Sequence, residues 1–282
     1  GTRLRMGYWP GGAKGTVVMI TGRTEYLEKY GRVAKDIVAV GYGMVTFDYR
    51  GQGLADRPPH RRDMGHVESF DEYRQDMSAF RAAMEALDLP MTWYLIGHSL
   101  GGCIGLRALY DGFPVQAAAF TGPMWGLQMN PFLRVFSPLI FRLAALFGNS
   151  KGFAMTTGPW QPLTFEDNSL TNDPDQFAYL SRQTEMHPEL ALGGPSYTWV
   201  QQALDECAEV MSKPALDLPV VAIVGEGERI TDPKELHKRM ATWPKGRGLV
   251  IEGGLHEVLM ETPERRGQTL DAIIGLFDAH PG

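Results

Sequence analysis

The sequence predicts an α/β protein with a mostly parallel central sheet flanked by helices and a helical cap inserted over it. Three observations carry this. Short β-rich runs alternate with helical patterns through the first half, as βαβ units require. Several of those runs are apolar at nearly every position, the pattern of strands covered on both faces. Between about Met124 and Cys207 the alternation stops, and helical periods without clear strands occupy a stretch rich in Pro, Met, Trp and Phe. The expected organisation is a first core part over 1–123, a helical cap over 124–207 and a second core part over 208–282.

Val17-Val18-Met19-Ile20 is a continuous apolar run ending in Thr21-Gly22, and reads as a buried strand. Val33 to Val40 sets apolar residues at helical spacing and stops before Gly41 and Gly43. Met44-Val45-Thr46-Phe47 is the next strand, followed by the loop Asp48-Tyr49-Arg50-Gly51-Gln52-Gly53. From Ser69 to Leu87, the residues Tyr73, Met77, Phe80, Met84 and Leu87 fall on one helical face. Ser69 and Glu72 are spaced as a capping box at its start, and Pro90 lies just past its end. Trp93-Tyr94-Leu95-Ile96 is a strand and Cys103 to Tyr110 a helix. Ala117–Thr121, Val220–Val224 and Leu249–Glu252 read as three more strands. A terminal helix starts at Pro263 with Thr262 as its cap, burying Leu270, Ile273, Ile274 and Phe277.

The 282 residues are 44% hydrophobic and 21% charged, the balance of an ordinary globular chain. A chain of this length buries roughly three quarters of its unfolded surface, so it needs no disulfide or metal staple. With 27 Lys+Arg against 33 Asp+Glu the net charge is -6, which argues against a nucleic-acid partner. Cys103 and Cys207 are too few for a disulfide framework and are expected as buried small side chains. No run approaches the roughly 20 apolar residues of a membrane span, and Arg134 and Arg142 interrupt the best candidate. The first residues, Gly1-Thr2-Arg3-Leu4, show no signal-peptide segment, so the expected location is cytoplasmic.

The strongest chemical signal is Gly97-His98-Ser99-Leu100-Gly101-Gly102, between a strand and a helix. In such an elbow the nucleophile takes strained backbone angles, and its neighbours two residues either side must be small. Gly97 and Gly101 meet that need. The turn lifts the Ser99 hydroxyl above the sheet and points the backbone N–H of Leu100 toward a developing oxyanion. A serine needs a base, and the base a carboxylate, in the chain order serine, acid, histidine. Of the seven histidines, His60 and His66 precede the elbow, and His98 adjoins the serine and should leave the turn in another direction. His187 lies in the insertion, His237 in a helical run and His280 at the tail. His256 follows the last strand on a loop, at the strand end where open α/β sheets place ligands, and is the expected base. The acid should follow Val220–Val224, where spacing alone leaves Glu226, Glu228 and Asp232 open.

Three segments resemble one family: Thr21-Gly22-Arg23-Thr24-Glu25, Phe47 to Gly53, and the elbow from Gly97 to Gly102. They are similar to the α/β-hydrolase branch of monoacylglycerol lipases and bacterial lysophospholipases. Gly193-Gly194-Pro195-Ser196-Tyr197-Thr198-Trp199-Val200 looks like the cap segment of the lysophospholipase L2 type. The resemblance implies an α/β-hydrolase fold and makes Glu228 the third triad member, with Asp232 second. Most of the family carries Asp at that step, so Glu is a departure. It also implies that the backbone N–H of Arg23 pairs with that of Leu100 as oxyanion donor, although Thr21 replaces the family's histidine in that loop.

The expected activity is hydrolysis of a single-chain lipid ester, a lysophospholipid or a monoacylglycerol, with a broader carboxylesterase or thioesterase as the alternative and a non-catalytic binding module as a further one. Neither a cofactor nor a metal is expected, because the chain carries no H-E-x-x-H, no Cys/His zinc spacing and no P-loop. Trp125 and Phe136, in the apolar stretch from Met124 to Phe147, and Trp199 are the expected substrate contacts. The same stretch, with Arg134 and Arg142, is a candidate for peripheral contact with a lipid surface. Arg23, Arg50, Arg57, Arg61 and Arg62 are candidates for holding a phosphate head group, unless Asp48, Asp56 or Asp63 pair with them.

Overall fold

The computed structural model describes residues 1–58 and 61–282; Pro59 and His60, the latter among the histidines weighed above, lie outside the described residues. Seven strands among the described residues form one sheet: β1 (Arg5–Trp9), β2 (Thr16–Ile20), β3 (Gly43–Asp48), β4 (Trp93–His98), β5 (Ala118–Thr121), β6 (Val220–Gly225) and β7 (Gly246–Ile251). Their order is β1-β3-β2-β4-β5-β6-β7, with β1 antiparallel to β3 and every other pair parallel. The chain steps from β2 outward to β3, then returns to lay β4 on the other side of β2. That reversal opens a crevice beyond the strand ends of β2 and β4, the usual place for a ligand in an open α/β sheet.

The apolar runs alternate sides as the pleat demands. Val18 and Ile20 enter one core with Phe47, Leu95 and Phe120, while Val17 and Met19 enter a second core with Met44, Tyr94 and Ile96. Helices cover both faces: α1 (Gly31–Ala39), α2 (Asp71–Ala86), α3 (Leu100–Tyr110), α7 (Pro233–Ala241) and α8 (Pro263–Asp278). Between β5 and β6 stand α4 (Pro131–Leu146), α5 (Pro174–Met186) and α6 (Tyr197–Ser212), joined by long loops. The expected cap boundary at 207 falls inside α6. That helix runs unbroken to Ser212 because its inner face, Ala203, Cys207 and Val210, is part of the core. Arg107 of α3 bonds Glu206 at 2.6 Å and Glu209 at 2.6 Å, tying α6 to the sheet layer.

The expected strands and helices are present, with shifted ends. The sequence reading missed β1, whose five residues are all half-buried and carry no apolar run. It is held at the edge by the ladder to β3 and by Arg5, which bonds Asp48 at 2.6 Å. The capping box is not formed as expected. Ser69 Oγ accepts from Asp71 N at 3.2 Å, but Glu72 accepts from Glu68 N at 2.8 Å, and Arg50 holds its other oxygen at 2.7 Å. Thr262 stands at the N-cap of α8 without a side-chain hydrogen bond. Leu87 lies past the end of α2 and is 57% exposed.

The elbow is compact because β4 and α3 are joined by a single residue, Ser99, at φ 51° and ψ -119°. A Cβ on Gly101 would lie 2.1 Å from the carbonyl oxygen of Ile20, so α3 presses directly on the end of β2. A Cβ on Gly97 would lie 2.7 Å from the Gly101 carbonyl oxygen. Neither contact is with a flexible side chain, and backbone must move to relieve it. Gly101→Ala is therefore expected to lower the unfolding free energy by about 1–3 kcal/mol. Urea denaturation monitored by tryptophan fluorescence measures this, and an unchanged midpoint would show that the elbow is looser than described.

Candidate active site

Four loops meet at the carboxyl ends of the strands. The loop after β2 carries Arg23, the elbow after β4 carries Ser99, the loop after β6 carries Glu228 and the loop after β7 carries His256. Ser99, His256, Arg23, Thr24 and Ile230 line one cavity of about 540 Å³, within the usual range of small-molecule sites. Among the described residues four non-glycine positions have left-handed φ, and three of them, Thr24, Ser99 and Thr156, line this cavity. Strain of this kind concentrates where surrounding structure over-determines a functional geometry.

His256 Nδ1 and Glu228 Oε2 lie 2.6 Å apart, and both residues are buried. The other Glu228 oxygen accepts from the backbone N–H of Ile230 at 2.7 Å and of Thr231 at 3.1 Å. Burial alone would raise the Glu228 carboxyl, but the hydrogen bond and charge of His256, with the two N–H donors, hold it below its ordinary value. Asp232, the second candidate acid, caps α7 by accepting from Lys234 N at 3.1 Å and lies 3.4 Å from Arg134. Glu226 accepts from Gly253 N at 2.9 Å.

Gly122 brings the serine and histidine loops together. Ser99 N donates to the neighbouring Thr121 carbonyl at 3.0 Å, and a Cβ on Gly122 would lie 3.1 Å from the His256 ring. No hydrogen bond joins the Ser99 hydroxyl to His256 in this structure; the two groups face the cavity side by side. Among the described residues no protein acceptor takes the backbone N–H of Arg23 or of Leu100. Both are thus free to serve as the expected oxyanion donors.

The sequence reading did not anticipate what lies beneath. Lys29 is buried and bonds Glu25 on one side and Glu257 on the other, the latter at 2.5 Å. His98, expected to leave the elbow in another direction, turns down into this cluster. Its Nδ1 is 3.0 Å from Thr121 Oγ1 and its Nε2 is 3.2 Å from Glu257, too far off line for an N–H bond. The His98 and His256 rings are 4.8 Å apart. Glu25 also accepts from Gly22 N and, at 2.6 Å, from Tyr30 OH. The cluster therefore grips the Arg23 loop at one end and the His256 loop at the other. Glu25, His98 and Glu257 have the mutual spacing of metal ligands, but the Lys29 ammonium already bonds both carboxylates and supplies the positive charge there. The only sequence trace of this cluster is the i,i+4 spacing of Glu25 and Lys29, and Glu257 directly after His256.

Gln52 and Tyr49 hold the Arg23 loop from the other side. Gln52 Nε2 donates to the Gly22 carbonyl at 2.8 Å, Gln52 Oε1 accepts from Thr24 N at 2.9 Å, and Tyr49 OH donates to the Thr21 carbonyl. This gives the Phe47 to Gly53 segment its role.

The expected substrate contacts are corrected. Trp125 is buried under α3, donating to the Gly102 carbonyl at 3.1 Å. Trp199 is buried and donates to Tyr73 OH at 2.9 Å. Phe136 is 41% exposed on α4 and stacks on Phe132. None of the three lines the Ser99 cavity, because their apolar surface is used to pack the insertion or faces outward. The apolar lining comes instead from Leu163, Leu170, Phe177, Leu180, Leu192 and Ile230.

The cluster makes stability depend on pH in a definite sense. Burial would raise the Glu257 carboxyl, but His98 and Lys29 hold it well below its ordinary value, so its contribution is complete above the carboxylate range and is lost as pH falls through its folded pKa. Burial would lower His98, but Glu257 and Glu25 hold it above its ordinary value, so its contribution is lost as pH rises through that raised value. Glu257→Gln is expected to cost about 3 kcal/mol at neutral pH and to flatten the loss of stability between about pH 5 and about pH 3. Parallel urea titrations of both proteins across that range measure the difference. Parallel curves for the two would contradict this assignment.

The comparisons with known proteins bear on the family and the fold. The family model for serine aminopeptidase, S33, matches residues 11–263. Lysophospholipase L2 of Escherichia coli is 32% identical over 280 residues, covering 94% of this chain and 80% of that protein. The probable lysophospholipase L2 of Haemophilus influenzae is 29% identical over 260 residues, covering 91% and 82%. In structure, a soluble variant of monoglyceride lipase from Saccharomyces cerevisiae, solved with a substrate analogue, superposes with a TM-score of 0.76 at 22% identity, over 100% of this chain and 93% of that one. At that identity the superposition speaks for the fold, and the family match and the lysophospholipase relatives speak for descent. The chain belongs to the serine aminopeptidase S33 family of α/β-hydrolases, alongside its lysophospholipase L2 relatives.

Proposed function

We propose that the protein hydrolyses the carboxylic ester of single-acyl-chain lipids, lysophospholipids or monoacylglycerols, through a triad of Ser99, His256 and Glu228. The observation that carries the reading is the buried 2.6 Å contact of His256 with Glu228 beside a serine at a strained elbow. Ser99 Oγ attacks the ester carbonyl carbon as His256 Nε2 takes its proton. The tetrahedral oxyanion is held by the N–H groups of Arg23 and Leu100, and its collapse expels the alcohol, which His256 protonates. Water then repeats the sequence on the acyl-enzyme and frees the fatty acid. Glu228 holds the imidazole in one tautomer and stabilises the imidazolium. Serine–histidine contacts commonly tighten only when substrate is bound, which accords with two groups that face one cavity without yet bonding.

The cap sets specificity in this reading through Phe177 and Leu180 of α5 and through Leu163, which line the cavity. The proposal extends to a lipid surface. Among the described residues no helix is long and apolar enough to cross a membrane. Yet α4 exposes Phe132, Val135, Phe136, Leu139, Leu143 and Leu146, at 41–74%, on a helix that carries two arginines and no acidic residue. An exposed apolar face of this kind marks contact with something apolar, and a hydrolase of membrane-derived lipids meets it at the bilayer surface.

Ser99→Ala is expected to abolish fluorophosphonate labelling and to lower kcat by about 10⁴-fold or more. Glu228→Gln is expected to lower kcat by about 10³–10⁴-fold, and Asp232→Asn to stay within about threefold. Freed fatty acid from lysophospholipid and monoacylglycerol of equal acyl length measures all three, and a larger loss in Asp232→Asn than in Glu228→Gln would reassign the acid. Short-acyl esters hydrolysed faster than long ones would favour the general esterase. For the surface, the double substitution Val135→Glu with Leu146→Glu is expected to release the protein from anionic vesicles in sedimentation while leaving hydrolysis of a soluble ester unchanged.

A further inference from the structure

We propose that the Arg23 side chain is the phosphate subsite of this active site, so that one residue addresses both the scissile ester, through its backbone N–H, and the head group, through its guanidinium. The inference rests on the esterase reading above and adds the group that sets its preference for a phosphodiester lipid.

Of the five arginines singled out in the sequence, four are spoken for or face away. Arg50 bonds Asp76 and Glu72 at 2.7 Å each. Arg57 is surrounded by the carbonyls of Gly53, Arg62, Leu190 and Ala191. Arg61 pairs with Asp63 at 3.1 Å, and Arg62 is exposed and does not line the Ser99 cavity. Arg23 does line it, and among the described residues no carboxylate stands within ion-pairing distance.

The Arg23 fork is held at one corner only. Nη1 donates to the Gly193 carbonyl at 2.9 Å, and the guanidinium lies 5.8 Å from the centre of the Trp199 ring. Among the described residues its remaining N–H groups make no hydrogen bond, and none of those nitrogens is fully buried. The corner is rigid because three segments cross there. Gly193 N donates to Asp63 O at 2.9 Å and Gly194 N to Gly158 O at 2.8 Å, and a Cβ on Gly193 would lie 2.7 Å from Asp63 O and from Gly158 O. Burial pushes the Arg23 guanidinium down to about 10, which still leaves it charged at neutral pH. A partly buried cation without a counter-charge is costly unless a ligand supplies one, and a phosphate meets the open side of the fork with two parallel bonds.

The reach fits. The path from the Arg23 backbone nitrogen to its guanidinium carbon has as many bonds as the path from the sn-1 ester carbonyl carbon to phosphorus in a lysophospholipid. With the carbonyl oxygen at the Arg23 N–H, that equal path gives the phosphate the length to reach the guanidinium. A monoacylglycerol ends in a neutral hydroxyl one bond short of that position and leaves the cation unpaired.

The test compares 1-acyl lysophosphatidylcholine with the monoacylglycerol of the same chain, both below their aggregation limits, for wild type, R23M and R23K. The readout is the ratio of kcat/KM for the two substrates, since any disturbance of the oxyanion loop lowers both alike. Wild type is expected to favour the phospholipid by about tenfold or more, R23M to bring the ratio near one, and R23K to retain part of it. Glycerophosphocholine is expected to inhibit wild type competitively where glycerol does not, an arm that needs no folded variant. A wild-type ratio near one, a ratio unchanged in R23M, or equal inhibition by the two probes overturns the subsite. Hydrolysis of neither lipid by wild type overturns the esterase reading instead.

Discussion

The buried ammonium of Lys29 joins two carboxylates that arrive from opposite ends of the chain, Glu25 in the loop after β2 and Glu257 in the loop after β7. Each of those loops carries a group that the proposed chemistry needs at a defined place. Glu25 also binds the Gly22 N–H, next to the proposed oxyanion donor, and Glu257 follows His256 directly. A buried ion cluster adds little net stability, because desolvation of each charge offsets the attraction. What it does supply is registry. Neither carboxylate can move without stranding a charge in a dry site, so the two loops are held at one spacing.

Above this foundation, the elbow sets the remaining coordinate. Ser99 is the lone residue between β4 and α3, and α3 is driven against the end of β2 at Gly101. The serine is therefore fixed relative to the sheet, while His98 beside it reaches down to the Glu257 end of the cluster. Gln52 and Tyr49 bind the far side of the Arg23 loop. Serine, oxyanion loop and histidine thus share one scaffold, and Glu228 approaches from β6 with one oxygen on His256 and the other on two backbone N–H groups. The longer glutamate reaches the imidazole because its loop turns at Ile230 and Thr231, whose backbone N–H groups anchor the carboxylate from behind.

The insertion divides its apolar residues between two tasks. The loop around Leu163 and the inner side of α5 line the cavity, whereas α4 turns its large side chains outward. Trp125 and Phe136, expected from composition to contact substrate, instead pack under α3 and face outward on α4. Composition says that a helix is apolar, and only its packing says which way the face points.

The elbow and the places of Ser99 and His256 at the carboxyl ends of the strands were legible in the sequence because they obey local rules: clearance for a strained turn, order along the chain, and position after a strand. The buried strands were legible for a similar reason, since continuous apolar runs have few other uses. β1 was not, because an edge strand with half-buried residues has no pattern that separates it from a loop. Spacing left three acids open after β6, and resemblance ranked them; the contact between Glu228 and His256 exists only once β6 and β7 lie side by side. The same holds for the Lys29 cluster, whose carboxylates are 232 positions apart (257 minus 25) and acquire meaning only through the sheet. The sequence by itself determined the local conformations and the kind of chemistry, since both depend on residues near one another in the chain. The tertiary structure alone decided which charges meet and which arginine lines the cavity without a carboxylate beside it, because desolvation and Coulomb energy depend on distance in space.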